Sequence, residues 1–197
     1  MLTRLSTIAR HLAVLLMLIC ASAASAAPAL YSVDTAKSAL EFVFVQAGAQ
    51  NKGRFPKLTV NFNFDADNLA ASRLDVAIDL AALDTGDKER DDTLRDVDLF
   101  NVAKFPQARF AATQITKTAT GGYEAAGTFV LRGVTRAVRV PFTLRSATEQ
   151  GRRVFYMTGK TLIKRLDFGV GQGEWKSTEG VGNDVNISFN LRLVAAS

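Results

Sequence analysis

The sequence predicts an all-β protein, an antiparallel barrel, closed or nearly so, of about eight strands with a short helical crossover near residues 87–101. Three observations predict it: long stretches alternate apolar and polar residues with period two, almost nothing of helical period separates them, and no linker or shift in composition divides them. Leu74, Val76, Ile78 and Leu80 share one face, with Arg73, Asp75, Ala77 and Asp79 on the other. Val185, Ile187, Phe189, Leu191 and Leu193 interleave with Asn186, Ser188, Asn190 and Arg192 in the same way. Val60, Phe62 and Phe64 alternate with Asn61 and Asn63, and Val138, Val140, Phe142 and Leu144 with Arg139 and Thr143. Residues 39–47, 109–116, 123–131 and 154–166 supply further strands.

One segment breaks the alternation. After the Asp84-Thr85-Gly86 turn, residues 87–95 are dense in charge and hold no β-branched run, so Asp87 can cap a short helix whose apolar contact is Leu94. A second short turn is expected near residues 98–101, and Pro106 marks the return to strand. Phe100 and Phe105 can pack this connection against a barrel mouth, either as a lid or as a plain helical connection.

Composition narrows the chemistry. The chain has 197 residues, and its first 26 read as a removable export signal: Arg4 and Arg10, an apolar run from Leu12 to Ile19, and a small-residue exit ending at Ala26. The run is well short of the ~20 residues of a spanning helix, so no stable membrane insertion is expected. Cleavage after Ala26 leaves 27–197 as one folded domain starting at Ala27. The single histidine, His11, and the single cysteine, Cys20, both lie in the leader. Nucleophilic sites built on His or Cys, Cys/His metal sites and disulfides are therefore not expected in the mature protein. The leader also carries two of the excess positive charges in a net +5, and the remaining basic residues are scattered among acids, so no nucleic-acid partner is expected.

Motif-like strings have plainer readings. Residues 169–173, Gly-Val-Gly-Gln-Gly, lack the βαβ context of a dinucleotide loop. Asp65-Ala66-Asp67-Asn68 starts like a calcium loop but continues with Leu69, so a hairpin turn is expected, and no metal site. Asn186-Ile187-Ser188 fits a glycosylation sequon but sits inside a strand pattern. Asp75 and Asp79 could be imagined as paired glycosidase acids, yet alternation puts both on the polar face of one strand, without a pocket to raise a pKa. No catalytic residue is assigned, and the chain is read as a non-enzyme.

Phenylalanine is conspicuous: thirteen Phe against three Tyr and one Trp, many on the apolar faces of strands. Such residues can fill a solid core or line an apolar bore, since an eight-stranded barrel does either. The expected inward set is Phe42, Phe44, Phe62, Phe64, Val76, Ile78, Phe129, Phe142, Ile187 and Phe189.

The order of several short motifs adds a resemblance. These are Tyr31-Ser32-Val33-Asp34 with Ser38 and Phe42; Gly53-Arg54-Phe55; Asp84-Thr85-Gly86 with Glu89-Arg90-Asp91 and Leu94; and Phe100, Lys104-Phe105-Pro106 and Phe110. Gly127, Leu131-Arg132-Gly133-Val134-Thr135, Val138, Phe142, Arg165 and Asp167-Phe168-Gly169 complete the set. In this order they resemble the YceI-like family of bacterial exported lipocalin-like proteins, from Tyr31 to about Leu193. The resemblance implies a periplasmic lipocalin-like barrel that binds a long isoprenoid lipid, a polyprenyl chain or isoprenoid quinone, in its bore, often as a homodimer. The ten residues above then become ligand-binding. Family members often carry a histidine where this chain reads Val45-Gln46-Ala47. Arg54, Arg90 and Arg165 are read as structural ion-pair partners of Asp84, Asp91 or Asp167. Two other classes stay open: a carboxylate- or Lys-based enzyme acting on an amphiphile, and a ligand-free interaction module.

Overall fold

The computed structural model describes residues 29–196, so the leader and its cleavage site lie outside the described residues. The alternating segments form β1 (Ala29–Val33), β2 (Ala39–Gln46), β3 (Ala49–Arg54), β4 (Leu58–Phe64), β5 (Arg73–Asp79), β6 (Gln107–Lys117), β7 (Tyr123–Leu131), β8 (Val134–Glu149), β9 (Arg152–Lys164) and β10 (Asp184–Ala195). All pairings between them are antiparallel, and β1 joins both β4 and β10, which closes the sheet. Ten segments make eight barrel strands. β1 and β2 are successive halves of one strand that bends at residues 34–38, both lying along β10. β3 and β4 are likewise one strand, pairing β2 and then β1 across the bend at residues 55–57.

Three of the hairpins turn on two residues, Ala47-Gly48, Arg132-Gly133 and Gln150-Gly151, each with both φ values between 49° and 76°. That is the left-handed geometry whose twist matches paired strands, and glycine takes its second position without strain.

A single α-helix among the described residues, α1 (Lys88–Arg95), interrupts the strands where charge density predicts it. The Asp87 side chain accepts a hydrogen bond from the Arg90 backbone N–H, which satisfies one of the free donors of the first turn. The connection around it is anchored: Leu80, Leu83, Leu99 and Phe100 are all buried in the core. Asp65 accepts from the Asp67 and Asn68 amides at 2.9 and 3.0 Å, so the calcium-like string is an Asx turn between β4 and β5.

Arg192 ties the barrel closure together from β10. Its guanidinium donates to Asp34 at 2.7 Å and to Glu149 at 2.6 Å, joining the end of β1 to the tip of the β8–β9 hairpin. Glu149 also accepts from the Tyr156 hydroxyl, and this bond and the Arg192 bond together hold its carboxyl below its ordinary 4.5. A carboxylate with a depressed folded-state pKa adds stability that is complete above the unfolded value and is lost as pH falls through the folded one. Thermal unfolding should therefore show the midpoint dropping below about pH 4.5, with a shallower drop in Glu149→Gln. Identical acid limbs in the two proteins would remove Glu149 from the account.

Candidate ligand-binding cavity

Side chains on the inner faces divide the barrel into three levels. At one end a cluster of rings packs solid: Phe62 stacks on Phe64 at 5.2 Å between centroids, Tyr123 stacks on Phe142 at 5.5 Å, and Phe64 meets Phe155 edge-on at 5.6 Å. Phe62 meets Phe142 edge-on as well, and Tyr31 meets Phe155. Phe62 has no exposure at all. This end is a plug.

At the opposite end lies a cavity of about 480 Å³. Strand residues Phe42, Phe44, Ile78, Phe129, Ile163 and Ile187 form its wall. The roof comes from the crossover, through Arg90, Thr93 and Leu94 of α1 and Leu99 and Phe100 beyond it, and from the segment after β9, through Val170, Trp175 and Val181. Such a volume falls within the range of ligand pockets, about 300–1,000 Å³. Below it a narrow extension of about 90 Å³ runs toward the plug, lined by Val76, Phe110, Val138, Val140, Thr161 and Phe189 among others. Leu40, Ile78, Phe129, Ile163 and Ile187 border both spaces and form the constriction between them.

The ten sequence-predicted residues thus separate by height. Phe42, Phe44, Ile78, Phe129 and Ile187 lie on the main cavity wall, and Val76 and Phe189 on the extension. Phe62, Phe64 and Phe142 belong to the ring cluster and line neither of these two spaces, and Phe142 borders a separate open groove beside β9. Their rings pack against one another, with Phe62 lying 5.2 Å from Phe64 and 6.4 Å from Phe142 between centroids. Sequence reasoning missed the contributions of Leu40, Ile163 and Trp175, while Phe100 packs at the barrel mouth as expected.

The roof segment is held by Arg165. Its side chain is 4% exposed, and its five N–H groups donate to the carbonyls of Val170, Trp175, Ser177, Val181 and Gly182 at 2.7–3.0 Å. The expected ion pair with an aspartate is absent among the described residues; a looped backbone brings five carbonyl dipoles to the guanidinium instead. Burial lowers the guanidinium's pKa below its ordinary value. The glycine-rich string at 169–173 serves this loop: Gly171, at φ 120°, passes so close to Arg165 Nη1 that a side chain there would collide with it.

The other two arginines do form ion pairs. Arg54 binds Asp84 at 2.6 Å. Arg90 lies 3.6 Å from Asp87 rather than on Asp91, whose carboxylate accepts the Thr85 amide and hydroxyl at 2.8 and 2.7 Å. Asp75 is paired with Arg109 at 2.8 Å, and Asp79 accepts from the Ala81 amide, so both imagined acids hold structural partners. Gln46 stands on the cavity lining. Among the described residues no group of three His, Cys, Asp or Glu could hold a metal, and no helix is long and apolar enough to cross a membrane.

The chain resembles known proteins over nearly all its described length. It is 34% identical to Burkholderia cenocepacia BcnA, whose crystal structure superposes with a TM-score of 0.73 over 83% of this chain and 99% of that one. The fold is shared with the Campylobacter jejuni YceI protein, at 24% identity and a TM-score of 0.67 over 74% of this chain and 85% of that one. It is shared too with a polyisoprenoid binding domain from Saccharophagus degradans, at 19% identity and a TM-score of 0.62 over 84% and 98%. A UPF0312 protein of Vibrio vulnificus is 30% identical over 171 residues, 85% of this chain and 89% of the relative. Residues 31–193 match the family model of the YceI-like domain, and the chain, a closed eight-stranded antiparallel barrel with one short helix, belongs to the YceI-like family.

Proposed function

We propose that this protein is exported to the periplasm, where it binds an isoprenoid lipid, a polyprenyl chain or isoprenoid quinone, in its barrel and carries, stores or senses it without chemical turnover. The observation that carries this reading is the cavity of about 480 Å³ walled by strand side chains such as Phe42, Phe129 and Ile187, which offer a hydrocarbon chain contact and ask for no hydrogen bond in return. Burying apolar surface is worth about 0.8 kcal/mol per CH₂-sized group, so a few isoprene units supply useful affinity before any head group is engaged. The polyisoprenoid binding domain with the same fold supports the choice of ligand class. The three-part leader ending at Ala26 supports export.

The test is organic extraction of protein produced with its leader and purified from the periplasm, followed by lipid mass spectrometry and N-terminal sequencing. The expected result is an isoprenoid lipid at close to one equivalent on a chain that begins at Ala27. Protein that carries no lipid and takes none up from added isoprenoid alcohols would point to the ligand-free interaction module, and release of an altered lipid to the enzyme. A retained Met1 would overturn the export reading.

A further inference from the structure

The barrel wall has a seam. β8 pairs with β7 along Val134–Phe142 and with β9 only along Phe142–Glu149. β9 pairs with β10 down to Lys164, but its ladder with β8 stops at Gly159. Residues 137–141 and 160–164 therefore face each other with no strand ladder between them among the described residues. The Thr161 hydroxyl, 3.5 Å from the Arg139 carbonyl, is a long and weak link across the gap. Side chains from both edges, Val138 and Val140 on one and Thr161 and Ile163 on the other, line the narrow extension of the cavity.

Outside the plug end of the seam lies an open groove bordered by Pro141, Phe142, Gly159, Lys160 and Phe189. Phe189 also lines the inner extension. Its ring lies across Gly159, where any Cβ would collide with it, so at this point one ring separates the inner space from the outer groove. Beside the seam on the outer face Leu162 is 48% exposed.

Volume makes the seam matter. A chain of nine isoprene units has about forty-five carbons, each about the size of a water at roughly 30 Å³, and so is large beside a cavity of about 480 Å³. The extension adds about 90 Å³, and the ring cluster lies beyond it. We propose that the β8–β9 seam is a lateral opening of the binding site: the part of a long isoprenoid chain beyond the first few units leaves the bore between Val140 and Thr161 and lies in the outer groove. This rests on the lipid-binding reading and extends it to the length of chain the site accepts.

Continuing the register from Phe142–Gly159 puts Val140 opposite Thr161 on the inner face. A Val140→Cys/Thr161→Cys pair in a Cys20→Ser background should close the seam on oxidation. Oxidised and reduced protein are incubated with phosphatidylcholine vesicles carrying farnesol, of three isoprene units, or solanesol, of nine. Protein is separated from the vesicles and its bound alcohol quantified by mass spectrometry. Oxidation should lower solanesol loading about tenfold or more, because carbons that leave the seam lose their buried contacts, and farnesol loading less than twofold. Equal change in the two alcohols, or none, overturns the seam, and reduced protein that loads neither overturns the lipid-binding reading along with it. If the bond does not form, Thr161→Cys alone decides: solanesol should shield its thiol from a maleimide at least fivefold more than farnesol does, and equal labelling under both counts against the opening.

Discussion

Replacing Arg165 with methionine should lower the thermal midpoint by roughly 6–12 °C. The side chain makes five hydrogen bonds to carbonyls of one loop, and methionine, similar in length, makes none. Hydrogen bonds to a charged group contribute about 1.5–3 kcal/mol each when removed singly, but the freed carbonyls on the loop's outer side can turn to water. A net loss of about 3 kcal/mol is the conservative expectation, and in a chain of this size about 2–4 °C accompanies each kcal/mol. Arg165→Lys should fall between the two proteins, because an ammonium has three donors for five carbonyls and cannot spread them in a plane. The roof should loosen with the loop, since Val170, Trp175 and Val181 reach the cavity from it. A shift in the emission of Trp175, the single tryptophan, reports that change without any ligand. Wild-type melting in Arg165→Met would mean that the loop holds itself.

How much of this was legible in the sequence follows from what each pattern encodes. Period two tells which way a side chain points, so the strands and the inward set were readable from residues such as Ile187 and Phe189. It says nothing about height along the barrel. Phe42 and Phe62 look alike in sequence, yet one stands on the cavity wall and the other inside the ring cluster, because strand tilt and register set the level each residue reaches. The helix was readable because Asp87 caps it with a side chain. Arg165 was not readable: its partners are backbone carbonyls, which every residue carries, so no acid at a fitting spacing announces them. The seam was hidden for a related reason. Alternation runs unbroken through Val138, Val140 and Phe142, since those residues face inward whether or not β9 pairs with them. Pro141, unable to donate a ladder bond, and Gly159, without a side chain, were the available signals.

The separation of plug from cavity yields the sharpest contrast, between Phe62→Ala and Ile187→Asp. Phe62 has zero exposure and touches the rings of Phe64 and Phe142, so its truncation opens a void among aromatic neighbours that cannot all collapse into it. Such substitutions cost about 3–5 kcal/mol, and chemical denaturation should show a loss of that order. The cavity lies at the other end, so the molecules that remain folded should carry the wild-type amount of isoprenoid. Ile187 behaves in the opposite way. It is half-buried at the constriction between the main cavity and its extension, beside space rather than packed rings, and its truncation leaves less behind. An aspartate there, however, puts a carboxylate against the hydrocarbon chain, which costs several kcal/mol or drives the group to its neutral form. Lipid recovered from folded Ile187→Asp at neutral pH should fall by about tenfold or more, and part of it should return at acid pH as the carboxyl takes up a proton. In Phe62→Ala stability falls and lipid stays; in Ile187→Asp lipid falls much further than stability. If both variants lost lipid in proportion to their stability, the plug and the cavity would be one continuous core, and the division of the barrel into a closed end and a binding end would fail.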